Sequence, residues 1–258
     1  MPQFTLLNTR PVDQAEALRE RVELLGGHAL SCPTIEIEML SLPSKHDLSG
    51  FDKLVFISAN AVKAFAAQFP TQPKPTVELF AIGQATLNAG RKAGLEMRTA
   101  EGERFDSEAL LELPDLQDLN GQRVLIVKGR GGRELLENSF VERGAEVVAW
   151  ELYRRRPLPL CQQIWRLFIE SPRPIVLATS VSGLESLMEA VVNAEGVSSE
   201  NRQAWSDWLR GQPLVVFSQR IQMWAQKRGW QGQIVIVPTQ SDDGIAQSIT
   251  TIVRKIES

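Results

Sequence analysis

The chain has 258 residues, enough for one large domain or two compact ones. Hydrophobic residues make up 43% and charged residues 23%, with 28 basic against 31 acidic side chains and a formal net charge of −3. This balance argues against a nucleic-acid protein with a basic face, and no run approaches the roughly 18 apolar residues of a membrane span. The N-terminus, MPQFTLLNTR, lacks the basic-then-apolar order of a signal peptide, so a cytoplasmic chain without membrane or nucleic-acid partners is expected. Cys32 and Cys161 each stand alone in their sequence surroundings, which predicts two reduced thiols and no CxxC motif. His28 and His46 are isolated as well, and no metal site is expected.

In chain order, short apolar runs alternate with helix-length amphipathic stretches, the pattern of βα units building parallel sheets. The runs are FTLLN (4–8), KLVFIS (53–58), ELFAIG (78–83), RVLIVK (123–128), PIVLATS (174–180), PLVVFS (213–218) and QIVIVP (233–238). Helices are predicted from Asp13 to Leu25, where Ala17, Leu18, Val22 and Leu25 recur at helical spacing, and from Ala61 to Phe69. Gly26, Gly94, Gly144 and Gly229 stand where a C-cap glycine ends such segments.

Two segments break the rhythm: CPTIEIEML (32–40) and EVVAWELYRRRP (146–157) alternate apolar and polar residues with a period near two. They read either as edge strands or, bounded by Pro33, Pro43 and Pro157, as connectors between domains. The halves of the chain support the connectors. LLNTR (6–10) corresponds to IVKGR (126–130), KLVFISANAV to PIVLATSVSG, and AIGQATLNAGRKAG to VFSQRIQMWAQKRG, an internal duplication. The predicted fold is α/β: two similar domains with parallel sheets flanked by helices, joined by a two-stranded β connector. Residues 1–36 and 156–258 form a discontinuous domain, 40–149 a continuous one, and 35–40 with 148–155 the connecting strands. Two crossings make a hinge, and a ligand cleft between the domains is expected.

Ligands of open parallel sheets bind beyond the carboxyl ends of the strands. Those ends supply Thr9 and Arg10; Ser58, Ala59 and Asn60; Gly83, Gln84 and Thr86; Lys128, Gly129 and Arg130; Thr179, Ser180 and Ser182; and Ser218 and Gln219. Each hydroxyl or amide has a plainer use as a helix N-cap; it is their accumulation at one topological point that suggests a site. KGRGGRE (128–134) fails as a phosphate loop, since Gly132 is followed by Arg133 and Glu134 rather than by lysine and a hydroxyl, and it fails the Rossmann pattern too. It remains a turn whose N–H groups could form an anion nest, or a solvated loop. The basic run Tyr153-Arg154-Arg155-Arg156 is either a solvated face or a strand with alternate side chains turned to the ligand. No Ser-His-Asp or Cys-His arrangement can be built. Tyr153, the only tyrosine, could donate a proton or could simply pack.

The series TRP (9–11), FISANAV (56–62), AIGQAT (81–86), VKGRGGRELL (127–136), GAEVVAWELYRR (144–155) and LATSVSGLESL (177–187) resembles uroporphyrinogen-III synthase over nearly the whole chain, in order. The resemblance implies a cofactor-independent enzyme of tetrapyrrole (haem) biosynthesis. Its substrate would be the small molecule hydroxymethylbilane, cyclised to uroporphyrinogen III with loss of water and inversion of ring D. It further implies a two-stranded ladder between two α/β domains, here Ile35 to Leu40 and Val148 to Arg155, with the family tyrosine at Tyr153 and the threonine of its first IGxxT segment at Thr86. The matching second-half threonine is absent: FSQRIQ (217–222) offers Ser218 and Gln219 instead. Hydroxymethylbilane is a polycarboxylate, and helix N-termini with Arg10, Lys128, Arg130 and Arg154 are the expected donors. A monomer is expected, with a transient hand-over from hydroxymethylbilane synthase. The competing class is a non-catalytic two-domain module that binds or senses a small molecule.

Overall fold

In the computed structural model, residues 2–12, 15–41, 48, 50–69, 73–100, 107–131 and 134–257 are described. The start of the first helix at Asp13, and Pro43, His46, Gly132 and Arg133, lie outside them. In chain order the elements are β1 (Thr5–Asn8), α1 (Glu16–Leu24), β2 (His28–Ser31), β3 (Ile35–Met39), β4 (Lys53–Phe56), α2 (Ala59–Gln68), β5 (Glu78–Ala81), α3 (Gln84–Lys92), α4 (Ser107–Leu111) and β6 (Arg123–Gly129). There follow α5 (Leu135–Glu142), β7 (Glu146–Pro157), α6 (Gln162–Ile169), β8 (Pro174–Ala178), α7 (Val181–Val192), α8 (Ser199–Arg210), β9 (Leu214–Val216), α9 (Gln219–Lys227), β10 (Ile234–Ile236) and α10 (Asp242–Glu257). All seven predicted apolar runs are strands, and the helix expected from Ala61 begins at Ala59 because Ser58 caps it.

The chain forms two compact units, one of residues 1–36 and 156–258, the other of 37–155. In the first unit the sheet order is β10-β9-β8-β1-β2 with every pair parallel. In the second it is β3-β7-β6-β4-β5, where β7, β6, β4 and β5 are parallel. The two orders match once the repeats are counted: β2-β1-β8-β9 in one unit and β7-β6-β4-β5 in the other. A further parallel bridge, Phe80 with Arg98, stands beside β5 where β10 stands beside β9.

Buried on both faces, the central strands alternate their side chains between two cores, as parallel strands covered by helices must. Leu54, Phe56, Leu125 and Val127 join Ala61, Val62 and Phe65 of α2, while Val55, Phe80, Val124 and Ile126 join Leu110 of α4 with Leu136 and Phe140 of α5. In the first unit Leu7, Val176, Leu214 and Val216 pack with Trp165, Leu184, Leu187 and Leu209. On its other face Leu6, Ile175, Leu177 and Val215 pack with Leu18 and Val22 of α1 and Ile245, Ile249 and Ile252 of α10. Each such burial stabilises by about 1.5–3 kcal/mol before the entropy of ordering is subtracted. The predicted terminating glycines all have positive φ: Gly26 76°, Gly94 75°, Gly144 88° and Gly229 81°. The next residue's N–H returns to a carbonyl in the last turn, as in Ala145 to Phe140 and Trp230 to Ala225.

The ladders give the repeats a register that differs from the one read along the motifs. Leu6 lies between Ala29 of β2 and Ile175 of β8, and Val124 lies between Val147 of β7 and Lys53 of β4. Gly26 and Gly144, which end α1 and α5, each stand three residues before Ala29 and Val147, so Leu6 matches Val124; Arg10 is therefore the counterpart of Lys128, not of Arg130, and Ser58 the counterpart of Ser180, not of Thr179. Capping agrees, since Ser58 accepts from the Ala61 N–H and Ser180 from the Gly183 N–H. Short motifs rich in Gly, Arg and Ser align equally well at neighbouring offsets; hydrogen-bonded strands do not.

β3 and β7 pass between the units. Their partners run in opposite directions, as in an antiparallel ladder: the Leu40 N–H donates to the Leu152 carbonyl, Glu38 meets Arg154, Glu36 meets Arg156, and the Leu158 N–H donates to the Thr34 carbonyl. The strict alternation expected of β7 fails at its centre, where Leu152 and Tyr153 are both buried. The register against β6 slips between Lys128 and Gly129, and the inserted residue turns two consecutive side chains inward.

Candidate active site

Ser58, Gly83 and Gly129 follow or end three parallel strands, β4, β5 and β6, and so stand at one edge of the second unit's sheet. Tyr153 reaches the same edge from β7. Its ring is 2% exposed, and its hydroxyl oxygen lies 2.9 Å from the Ser58 Oγ. The Ser58 Oγ also accepts from the Ala61 N–H at 3.0 Å, so one hydroxyl caps α2 and holds the tyrosine. A Cβ on Gly129 would come within 2.5 Å of the Tyr153 Cζ; bare backbone is what lets the ring lie there. Arg155 Nη2 donates to the Tyr153 hydroxyl at 3.3 Å, and its guanidinium sits 5.6 Å from the ring centroid. Asn60 is half-buried in the first turn of α2, and Gly83 is the N-cap of α3.

Thr86 is buried in the first turn of α3. Gly83 and Ser218 cap α3 and α9, and Gly94 and Gly229 end them, so the position matching Thr86 is Ile221, also buried. The missing second-half threonine is thus replaced by an isoleucine. Ser218 makes no side-chain capping bond, and Gln219 is the exposed first residue of α9.

The four cations expected to receive a polyanion each hold a carboxylate of this chain. Arg10 bonds Asp242 at 2.7 Å, Lys128 bonds Glu137 at 2.5 Å, Arg130 bonds Glu151 at 3.2 Å, and Arg154 grips both oxygens of Glu38 at 2.8 and 2.9 Å. Arg10 and Lys128, the repeat counterparts, are both buried, and a buried cation must be paired. The sequence could not show these partners because all four come from other elements. In the turn that could form an anion nest or a solvated loop, the Gly131 N–H donates to the Glu151 carboxylate at 3.1 Å. Arg10 does keep two buried N–H-bearing atoms, Nε and Nη2, without a partner among the described residues.

At the matching edge of the first unit, hydroxyls close on backbone. Thr9 Oγ1 donates to the Leu177 carbonyl at 2.7 Å, Thr34 Oγ1 donates to the Gly183 carbonyl at 2.9 Å, and the Ser180 and Ser182 hydroxyls lie 3.4 Å apart. Thr179 is half-buried between β8 and α7.

Two groupings were not visible in the sequence. Cys32 and Cys161, read as solitary, are in hydrogen-bonding contact in the first unit. That bond lowers the Cys161 thiol to about 6 against the opposing effect of its partial burial. The Cys161 contact, together with burial, pushes the Cys32 thiol up. Buried Lys53 bonds Glu78, its neighbour across β4 and β5. Burial opposes ionisation of Glu78, but Lys53 and Arg98 outweigh it and hold the carboxyl below its ordinary value. Arg155, which contacts Tyr153, was the arginine passed over within YRRR. The available signal was its place two residues beyond Tyr153, on the same side of a strand.

Among the described residues no group of three or more His, Cys, Asp or Glu could hold a metal ion, and no helix is long and apolar enough to cross a membrane.

Comparison with known proteins gives this geometry a lineage. The sequence profile of uroporphyrinogen-III synthase HemD matches residues 16–246. The chain is 32% identical to a uroporphyrinogen-III synthase of Salmonella typhimurium over 95% of its length and all of the relative's. It is 31% identical to that of Escherichia coli, again over 95% of this chain and all of the relative. Among solved structures, a mutant uroporphyrinogen III synthase from the extremely thermophilic bacterium Thermus thermophilus superposes with a TM-score of 0.62 at 18% identity, covering 98% of each chain. The uroporphyrinogen-III synthetase of Helicobacter pylori does so with 0.61 at 13% identity, over 98% of this chain and 100% of that one. These likenesses agree on the α/β fold, and with the profile match and the curated relatives they establish that the chain belongs to the uroporphyrinogen-III synthase family, an enzyme family rather than a class of non-catalytic binding modules.

Proposed function

We propose that this chain cyclises hydroxymethylbilane to uroporphyrinogen III, with Tyr153 as the proton donor to the departing hydroxyl. The observation that carries the assignment of Tyr153 is its setting: a hydroxyl held by another hydroxyl, 2.9 Å away at Ser58, at the carboxyl edge of a parallel sheet. Donation of the Tyr153 proton breaks the C–O bond of the terminal hydroxymethyl group. Water leaves, and the electron-rich pyrrole is left as an azafulvenium cation. The substituted carbon of ring D then attacks through a spiro intermediate, and a proton lost from the ring system when the pyrroles are restored balances the one spent.

Because leaving-group departure is already favoured by the pyrrole, most of the task is imposing curvature on the linear chain before the unsubstituted route closes it. Backbone N–H groups at the starts of α2 and α3 in the second unit, and of α7 and α9 in the first, are the donors we assign to substrate carboxylates, near Asn60, Gly83, Thr86, Ser182, Ser218 and Gln219. Since Lys128, Arg130 and Arg154 already hold carboxylates, they contribute by exchange of partner; Arg10 has donors to spare. The reading includes a monomer in the cytoplasm that receives its substrate from hydroxymethylbilane synthase.

The test is turnover of freshly generated hydroxymethylbilane, with the products oxidised and the type I and type III isomers separated by chromatography. Predominant type III supports the reading. Type I alone, at the spontaneous rate, overturns it.

A further inference from the structure

Three arginines follow Tyr153 on β7, and their side chains are used differently. Arg154 and Arg156 reach across the ladder to Glu38 and Glu36, an arrangement that needs only opposite charges on two strands. Arg155 instead lays its guanidinium against the Tyr153 ring and directs Nη2 at the hydroxyl oxygen. A guanidinium has donors and no acceptor, so this contact can only give a hydrogen bond to the tyrosine oxygen. The phenolic proton is therefore left to point elsewhere.

Ser58 supplies the complementary half. Its oxygen already receives the Ala61 N–H, and its own O–H can rotate, so it can accept from the tyrosine before proton transfer and donate to the same oxygen afterwards. The ring cannot drift from these two groups. The Arg130 N–H holds the Tyr153 carbonyl at 2.7 Å, the slip between Lys128 and Gly129 turns the side chain inward, and Gly129 leaves just the space the ring fills.

We propose that Arg155 is a positioning residue for the cyclisation, acting through Tyr153: with Ser58 it fixes the phenolic oxygen and stabilises the negative charge that grows there as the proton leaves. This rests on the reading of Tyr153 as proton donor. In the step itself the tyrosine O–H bond breaks, its proton passes to the departing hydroxyl, and the C–O bonding pair leaves with water. The phenolate is held by the Arg155 N–H and the Ser58 O–H until the proton released on restoring the pyrroles returns to it. An interaction that strengthens only as this charge develops acts on kcat rather than on KM.

The chain has a single tyrosine, so protein carrying tyrosine labelled with carbon-13 at Cζ gives one side-chain resonance that reports hydrogen bonding at this oxygen alone. The variants are Arg155→Met and Arg155→Lys; Arg155 is exposed, so neither opens a cavity. The expected result is a displaced resonance and a kcat reduced about tenfold in Arg155→Met, with KM held within about twofold and part of kcat restored in Arg155→Lys. An unmoved resonance overturns the inference, as does a raised KM with kcat kept, which would make Arg155 a contact to substrate carboxylates. If the resonance moves but Tyr153→Phe keeps the full rate, it is the proton-donor reading that has failed, and the role of Arg155 in the reaction falls with it.

Discussion

At equivalent places in the two units stand Thr34 and Tyr153. The ladders set Ala29 against Val147, and the one-residue slip in β7 carries the match from Leu152 to Tyr153. Each side chain turns to the start of the helix that follows the strand two places away in its sheet, α7 after β8 or α2 after β4. Thr34 gives its only proton to the Gly183 carbonyl, a bond that cannot reverse. Tyr153 meets the Ser58 hydroxyl, which can accept or donate. On the proposed reading, one duplicated scaffold holds a structural hydroxyl in one copy and a proton donor in the other, and the change needed is a longer side chain with a glycine beneath it.

The strongest way to break this contrast is Gly129→Ala. The added methyl meets the Tyr153 ring at 2.5–2.9 Å, so the ring must move away from Ser58 and Arg155. Turnover should fall about 100-fold, and an unchanged rate would show that the ring's place does not matter. Asp242→Asn and Glu137→Gln probe what the units share, a buried cation at the end of β1 or β6 with one helix carboxylate. Each substitution should cost about 2 kcal/mol in urea unfolding, below the fully buried case because the carboxylates keep some exposure to water. Unequal losses would show that the two pairs have diverged as the two hydroxyls have. The smallest effect is expected at the cysteines, which belong to the first unit only. The Cys161 thiolate is the reactive form, and with the thiol lowered to about 6, alkylation should be near its maximum at pH 7 and fall as the pH drops through about 6. In Cys32→Ala the hydrogen bond is gone while the partial burial stays, so the midpoint should rise toward or above the ordinary value of 9.0. A midpoint unmoved by that substitution would mean the two thiols do not communicate.

The strands were legible because both faces of each parallel strand are buried, which writes unbroken apolar runs such as RVLIVK into the chain. Helix ends were legible at Gly26, Gly94, Gly144 and Gly229, where the backbone needs positive φ. Tyr153 and Ser58 could be named individually, yet nothing in a linear sequence brings residues from β7 and the start of α2 to hydrogen-bonding distance. What was misread has physical causes. Arg10, Lys128, Arg130 and Arg154 looked like free charge because Asp242, Glu137, Glu151 and Glu38 pair with them through the fold. Repeat registers were off by one or two because glycine and arginine carry little positional information, whereas ladders anchored at Gly26 and Gly144 and at the Ser58 and Ser180 caps admit one offset. The contact of Cys32 with Cys161 joins residues that flank the two connecting strands, so it exists only once β3 and β7 are laid side by side.

The contrast between the units is tested most directly by measuring rate and isomer ratio for Tyr153→Phe beside Thr34→Val, each shown to be folded by circular dichroism and urea titration. The account predicts that Tyr153→Phe loses about 100-fold in rate, with the type I product rising as spontaneous closure overtakes it. Thr34→Val should keep rate and selectivity and lose only about 1 kcal/mol of stability. Equal rates for the two variants, or a full rate in Tyr153→Phe, would contradict the assignment of the chemistry to the second unit's hydroxyl.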